Sequence, residues 1–136
     1  MKRNDLYRKM KEENIYYIKH KLSFTRGMIA RYNDITVIIV DDTKVKNQIS
    51  ENTVLMQELG HYMANAYYKT NSHSKFIEQM ERLADITAWE EFLPYEEVKA
   101  FMEKGYKTAT DLAKCFGVEA PYMARCLNYY YKKYKF

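Results

Sequence analysis

The sequence predicts an α+β fold, with a small sheet near the N-terminus and helices from there to the end. Three observations point to it. Residues 35–40, Ile-Thr-Val-Ile-Ile-Val, are a β-branched run of strand length. From residue 51 onward, apolar residues recur at spacings of three and four, the period of helices packed along one face. The chain has 136 residues, 47% of them hydrophobic, which suits one domain with an ordinary core. We read 1–136 as one unit in three parts: helix and sheet over 1–50, two helices over 51–94, and a helical tail over 95–136.

Residues 3–19 are expected to form a helix, with Leu6, Met10, Ile15 and Ile18 as an irregular apolar stripe. Phe24, Met28, Ala30 and Tyr32 lead to Asn33-Asp34, which tolerate left-handed angles and mark a hairpin turn. The strand at 35–40 follows and Asp41-Asp42-Thr43 ends it, so a small antiparallel sheet is expected over 22–41. After a polar connection, Ser50 is expected to cap a helix reaching about Tyr68, with Leu55, Leu59, Met63 and Ala66 on its core side. Gly60 costs that helix about 1 kcal/mol against Ala, and its size lets another segment come close. Residues 69–75 are a polar loop in which Ser72 or Ser74 caps the next helix, about 74–92, ended by Pro94. Its inner stripe is Ile77, Met80, Ala84 and Ala88. In the tail, a helix from Tyr95 to Lys104 closes at Gly105. A second starts at Thr108 or Thr110 and closes at Gly117, and a third has Pro121 in its first turn and runs to Lys133.

Composition excludes several classes. No run of about 18 apolar residues exists, so no membrane-spanning helix is expected. The charged start, Met1-Lys2-Arg3-Asn4-Asp5, is not followed by an apolar segment, so it is not read as a secretory signal. Cys115 and Cys126 are too few for a disulfide framework and are not spaced as a metal clip, so free thiols in a cytoplasmic protein are expected. Net charge is +4. Residues 1–26 hold eight Lys and Arg against three acids, and residues 122–136 hold four and no acid. Basic ends can meet nucleic acid or an acidic partner, but charge this modest is more simply a solvated surface.

The chemistry is concentrated between Gln57 and Asp85. Gln57-Glu58-Leu59-Gly60-His61 is one residue short of His-Glu-x-x-His, which on a helix sets two imidazoles one turn apart for one zinc ion. Nineteen residues separate His61 from Glu81, and Asp85 follows one turn later. A glutamate from a second helix is the third ligand in one class of zinc enzymes, because one helix offers a single face and a tetrahedral ion needs donors from several directions. Taken singly, His61 reads as an ordinary helix histidine, and Glu81 with Asp85 as a solvated face. Conjunction and spacing point to descent from a zinc site.

Glu58-Leu59-Gly60-His61-Tyr62, then Glu81-x-x-Ala84-Asp85, then Phe92-Leu93-Pro94 resemble the ImmA/IrrE family of small metallopeptidases. The resemblance covers most of the chain. It implies a zincin-like cytoplasmic domain, often of phage or mobile-element origin, that cleaves a helix-turn-helix repressor. By position it implies Glu58 as general base on a zinc-polarised peptide, His61 and Glu81 as zinc ligands, and Asp85 as the acceptor that orients a ligand histidine. Gln57 stands where the family has its first histidine. A Gln oxygen is a neutral and weaker zinc ligand than imidazole. Three outcomes stay open: Gln57 binds zinc through oxygen while its amide meets Asp85; His73 or His20 substitutes; or the site is empty and the domain acts by binding a partner.

Residues 110–128 resemble a helix-turn-helix, with Ala113, Gly117 and Val118 at the crossing. As a DNA reader its second helix would offer Glu119, Tyr122 and Arg125, with Lys132, Lys133 and Lys135 near phosphates. Glu119 would be repelled there, and the patch is small. The Tyr129-Tyr130-Tyr131-Lys132-Lys133-Tyr134 end is read either as a partner surface or as an amphipathic helix that packs some rings and exposes others.

Overall fold

The computed structural model describes residues 2–69 and 71–135. Thr70, within the expected loop, and Phe136 lie outside them. Helix α1 (Lys2–Glu12) is followed by strands β1 (Ile15–Lys19), β2 (Gly27–Tyr32) and β3 (Ile35–Val40), and then by helices α2 (Gln48–Ala64), α3 (Ser74–Phe92), α4 (Tyr95–Glu103), α5 (Ala109–Phe116) and α6 (Ala120–Tyr134). The fold is α+β and zincin-like, with a helical C-terminal region, as expected.

The helix expected over 3–19 is a helix and then a strand. Asn14 adopts φ 57°, which an α-helix cannot continue through. Beyond it Ile15-Tyr16-Tyr17-Ile18 is β-branched and aromatic, and it pairs with β3 in parallel, Ile15 opposite Thr36. The hairpin forms as expected, with Asn33 at φ 57° and β2 antiparallel to β3. The sheet is therefore mixed, in the order β1-β3-β2. Asp41 closes it. Its carboxylate accepts the backbone N–H of Leu22 (2.8 Å) and of Thr43 (2.9 Å) and the Thr43 hydroxyl (2.6 Å).

Helix α2 begins earlier and ends sooner than expected. Asn47, not Ser50, is its cap: the Asn47 side chain accepts the Ser50 N–H at 2.9 Å. The Ser50 hydroxyl instead donates to Glu119 at 2.9 Å. Asn65, left-handed at φ 52°, ends α2 after Ala64. His73 rather than Ser72 or Ser74 caps α3. The tail follows expectation closely, with Pro94 preceding α4, Thr108 capping α5 and Gly117 left-handed at its end.

The core lies between the sheet and the helices. Leu6 and Met10 of α1, Ile15, Ile38 and Val40 of the sheet, and Leu55 and Leu59 of α2 belong to one buried cluster. It continues through Trp89 and Phe92 into Phe116, Tyr122 and Tyr130 of the tail. Helices α2 and α3 cross at Gly60, where a Cβ would stand 2.3 Å from the Ala84 carbonyl oxygen and 3.0 Å from the Ala88 Cβ. The small residue permits the close approach, and the approach sets the two candidate-site helices face to face.

Candidate active site of a zincin-like fold

The crossing at Gly60 and Ala84 brings His61 of α2 against Glu81 of α3. His61 Nε2 lies 3.2 Å from Glu81 Oε2. The other ring nitrogen, Nδ1, donates to the Ala66 carbonyl at 2.7 Å. That carbonyl is in reach because the chain turns back at Asn65, with the Ala66 N–H donating to the His61 carbonyl at 2.9 Å. The Tyr68 hydroxyl also donates to Glu81 Oε2, and its ring meets the imidazole edge-on at 6.0 Å between centroids. Ala66 and Tyr68 were expected inside α2, so their parts in the site were not foreseen.

Charge in the site is internally balanced. Burial alone would lower the His61 pKa, but the bond to Glu81, aided by the Ala66 carbonyl and the Glu58 charge, raises it to about 9. Glu81 is held below its ordinary value by the His61 bond, with a further contribution from Tyr68. Glu58, one turn before His61 on α2, is pushed up to about 7, mainly by burial.

Asp85 does not orient His61. It accepts from Arg125 of α6 at 2.8 Å, while His61 Nδ1 uses a backbone carbonyl. Burial raises the Asp85 pKa, and Arg125 opposes that. Arg125 also sits over Tyr122, 5.4 Å from the ring centroid. Neither spare histidine joins the site. His73 caps α3 by accepting the Lys75 N–H at 3.2 Å, and eight residues of helix, about 12 Å, separate it from Glu81. His20 follows β1, exposed, and donates from Nδ1 to the Lys21 carbonyl.

The donor set is short for zinc. A catalytic site of this kind needs three protein ligands and an open position. Here His61 supplies one imidazole and Glu81 one carboxylate, and the third place falls to Gln57, a half-buried neutral amide. Among the described residues, no group of three His, Cys, Asp or Glu side chains is placed to hold a metal ion. The residues present do not fit a firmly held zinc ion.

In the tail, the side chains that would read DNA are engaged within the protein. Glu119 forms a two-pronged pair with Arg26 (2.8 and 3.0 Å). Tyr122 is 1% exposed, and Arg125 is held by Asp85. Lys133 pairs with Glu90 at 2.9 Å, while Lys132 is exposed. The tyrosine-rich end packs some rings and exposes others. Tyr130 is buried and donates to the Leu93 carbonyl at 2.7 Å, Tyr134 stacks on Tyr95, and Tyr131 is exposed.

Two helices crossing beneath a small sheet, one bearing Glu-x-x-His and the other a facing Glu, define the zincin-like peptidase class. The family follows from the whole chain: residues 10–127 match the model of the IrrE N-terminal-like domain, peptidase family M78. This protein belongs to that family of zincin-like metallopeptidases. No curated protein and no solved structure matches the chain. No helix among the described residues is long and apolar enough to cross a membrane.

Proposed function

We propose that this chain is a zincin-fold regulatory protein of the cytoplasm that acts by binding a regulatory protein of repressor type, its metal site too weak to sustain hydrolysis. The observation that carries this reading is the donor set. Position 57, where the fold needs its second imidazole, holds a neutral amide, and the remaining donors, His61 and Glu81, meet each other at 3.2 Å. Losing even an outer partner of a zinc ligand lowers affinity or activity by about 10–100-fold, so exchanging a ligand imidazole for an amide lowers it at least as much. The partner class is supported by the family resemblance. The retained scaffold supports binding: Gly60 still admits α3, and Tyr68 and Ala66 hold Glu81 and His61 in place.

The test is the zinc content of protein purified without chelator, beside a Gln57→His variant, with cleavage of an unfolded protein substrate followed in parallel. The expected result is zinc well below one per chain in the parent and about one per chain in the variant, which restores the three-ligand set. Stoichiometric zinc in the parent, together with proteolysis that disappears in Glu58→Gln, would make it an active endopeptidase instead.

A further inference from the structure

A groove of about 610 Å³ opens beside the candidate site. Its walls are the turn after α1 (Glu13), the end of β2 (Arg31), the end of α2 (Tyr62 and Asn65) and the second half of α3 (Thr87 and Glu91). Arg31 joins the groove to the site. Its guanidinium lies over the Tyr67 ring, 4.3 Å from the centroid. Tyr67 in turn stands between Ala66 and Tyr68, the residues that hold His61 and Glu81. Burial raises the Tyr67 pKa, Arg31 opposes the rise and Glu58 adds to it, so the ring feels both the groove cation and the site carboxylate. Strand β2 aims Arg31 at the helices. A Cβ at Gly27 would meet Val54 of α2, and the side chain four residues on points to the same side.

The guanidinium is held but not used. Arg8, Arg26 and Arg125 each engage a carboxylate, those of Asp5, Glu119 and Asp85. Arg31 engages none among the described residues, and stacking on one face leaves its N–H edge open. Arg82 engages none either, but no ring among the described residues lies beneath it. The acids of the groove do not fill the place. Glu13 accepts from the Tyr62 hydroxyl at 2.9 Å and pairs with Lys9 at 3.9 Å, and Glu91 forms no ion pair among the described residues. An inward charge at a sheet edge also deters edge pairing, but that role needs no ring. A guanidinium fixed flat before binding loses less freedom in forming a two-pronged bond to a carboxylate. Glu13 and Glu91 would repel the successive phosphates of a polyanion, whereas an isolated acid on a polypeptide can meet Arg31 alone. We infer that the groove binds a polypeptide segment of the partner and that Arg31 selects an Asp or Glu side chain within it. This rests on the reading of the chain as a protein that binds a regulatory partner, and it names the chemistry recognised and the residue that recognises it.

The probe is a library of random peptides of about seven residues, roughly 23 Å when extended. They are anchored to beads through their C-termini, so side chains supply the only carboxylates. The full chain is screened with chelator present, which keeps metal and cleavage out of the readout. Asp or Glu should be enriched at one position for the parent, not enriched for Arg31→Gln, and replaced by Lys or Arg for Arg31→Glu. A selected peptide, made in solution as its amide and read by anisotropy, should bind Arg31→Gln about tenfold more weakly. Changing its acid to the matching amide should cost about the same, with little further loss when both are changed. Tyr67→Leu keeps the charge and removes its platform, and should weaken binding by about threefold. Raising NaCl from about 50 to about 500 mM should weaken the parent by about threefold or more and leave Arg31→Gln nearly unchanged. Arg31 is exposed, so Arg31→Gln should keep the parent's circular dichroism and melting temperature. The same acid enrichment in all three proteins, or no selected peptide, would overturn the assignment. So would a single-stranded oligonucleotide that outbinds every selected peptide, or a concentration-dependent dimer lost in Arg31→Gln, which would make the acid this chain's own. Proteolysis with stoichiometric zinc would overturn the binding-only function and leave the Arg31 selectivity standing.

Discussion

At the scale of single residues, the consequential contact is His61 with Glu81. An imidazole whose pKa is raised from 6.5 to about 9 contributes stability that is full below about pH 6.5 and is lost as pH rises through 9. Glu81 is half-exposed, so screening holds this to about 1–2 kcal/mol. Glu81→Gln should therefore lower stability at pH 7 by that amount and bring the imidazole back towards its ordinary value, which an NMR titration of the ring protons would read. Glu58 carries the opposite kind of cost. Burial raises its pKa from 4.5 to about 7, so its contribution is favourable below pH 4.5 and lost as pH rises through 7. Glu58→Gln has no charge to desolvate. Urea unfolding should find this variant more stable than the parent by about 1–3 kcal/mol at pH 8, with the advantage shrinking as pH falls and gone below about pH 4.5.

At the scale of elements, the α2–α3 crossing is the controlling feature. A Gly in a helix interior is about 1 kcal/mol worse than Ala on propensity alone, so propensity predicts that Gly60→Ala stabilises. The Cβ would stand 2.3 Å from a backbone oxygen of α3, and backbone cannot move aside as a flexible side chain can. We expect Gly60→Ala to destabilise by about 1–3 kcal/mol net, read by urea unfolding, and to spread the His61–Glu81 pair. Helix ends followed the same contest between local and tertiary preference. Pro94, Thr108, Gly117 and Pro121 acted where local chemistry places them. Ser50 did not, because Glu119 from the tail took its hydroxyl and left the capping to Asn47.

At the scale of the whole molecule, the tail is tied to the sheet and to the site by two charged contacts. Arg26, just before β2, grips Glu119 at the start of α6, and Arg125 of α6 grips Asp85 of α3. Both pairs are partly exposed, so each is worth little more than about 1 kcal/mol. Their effect is to fix where α6 lies. A double-mutant cycle on Arg26→Ala and Glu119→Ala should give a coupling of about 1 kcal/mol, with the His61 ring signals unchanged, since neither residue touches the site.

Much of this arrangement is written in local chemistry. The strand at 35–40, its hairpin, the paired helices and the three tail helices follow from β-branching, left-handed asparagines, the helical period and Pro or Gly punctuation, all of which act within a few residues. Glu58, His61, Glu81 and Asp85 were legible for the same reason, since helical spacing places them one turn apart. What local patterns do not carry is partnership across the fold. Residues 15–19 suit a helix stripe as well as a strand, and only the open edge of β3 made them a strand. The pairing of Asp85 with Arg125 instead of His61 spans forty residues, and the turn at Asn65 that swings the Ala66 carbonyl and Tyr68 onto His61 and Glu81 shows only when the chain folds back. Sequence sets the types and spacings of the site residues. Which of them meet is decided by tertiary packing, because a contact forms where two backbones can approach, as they do at Gly60.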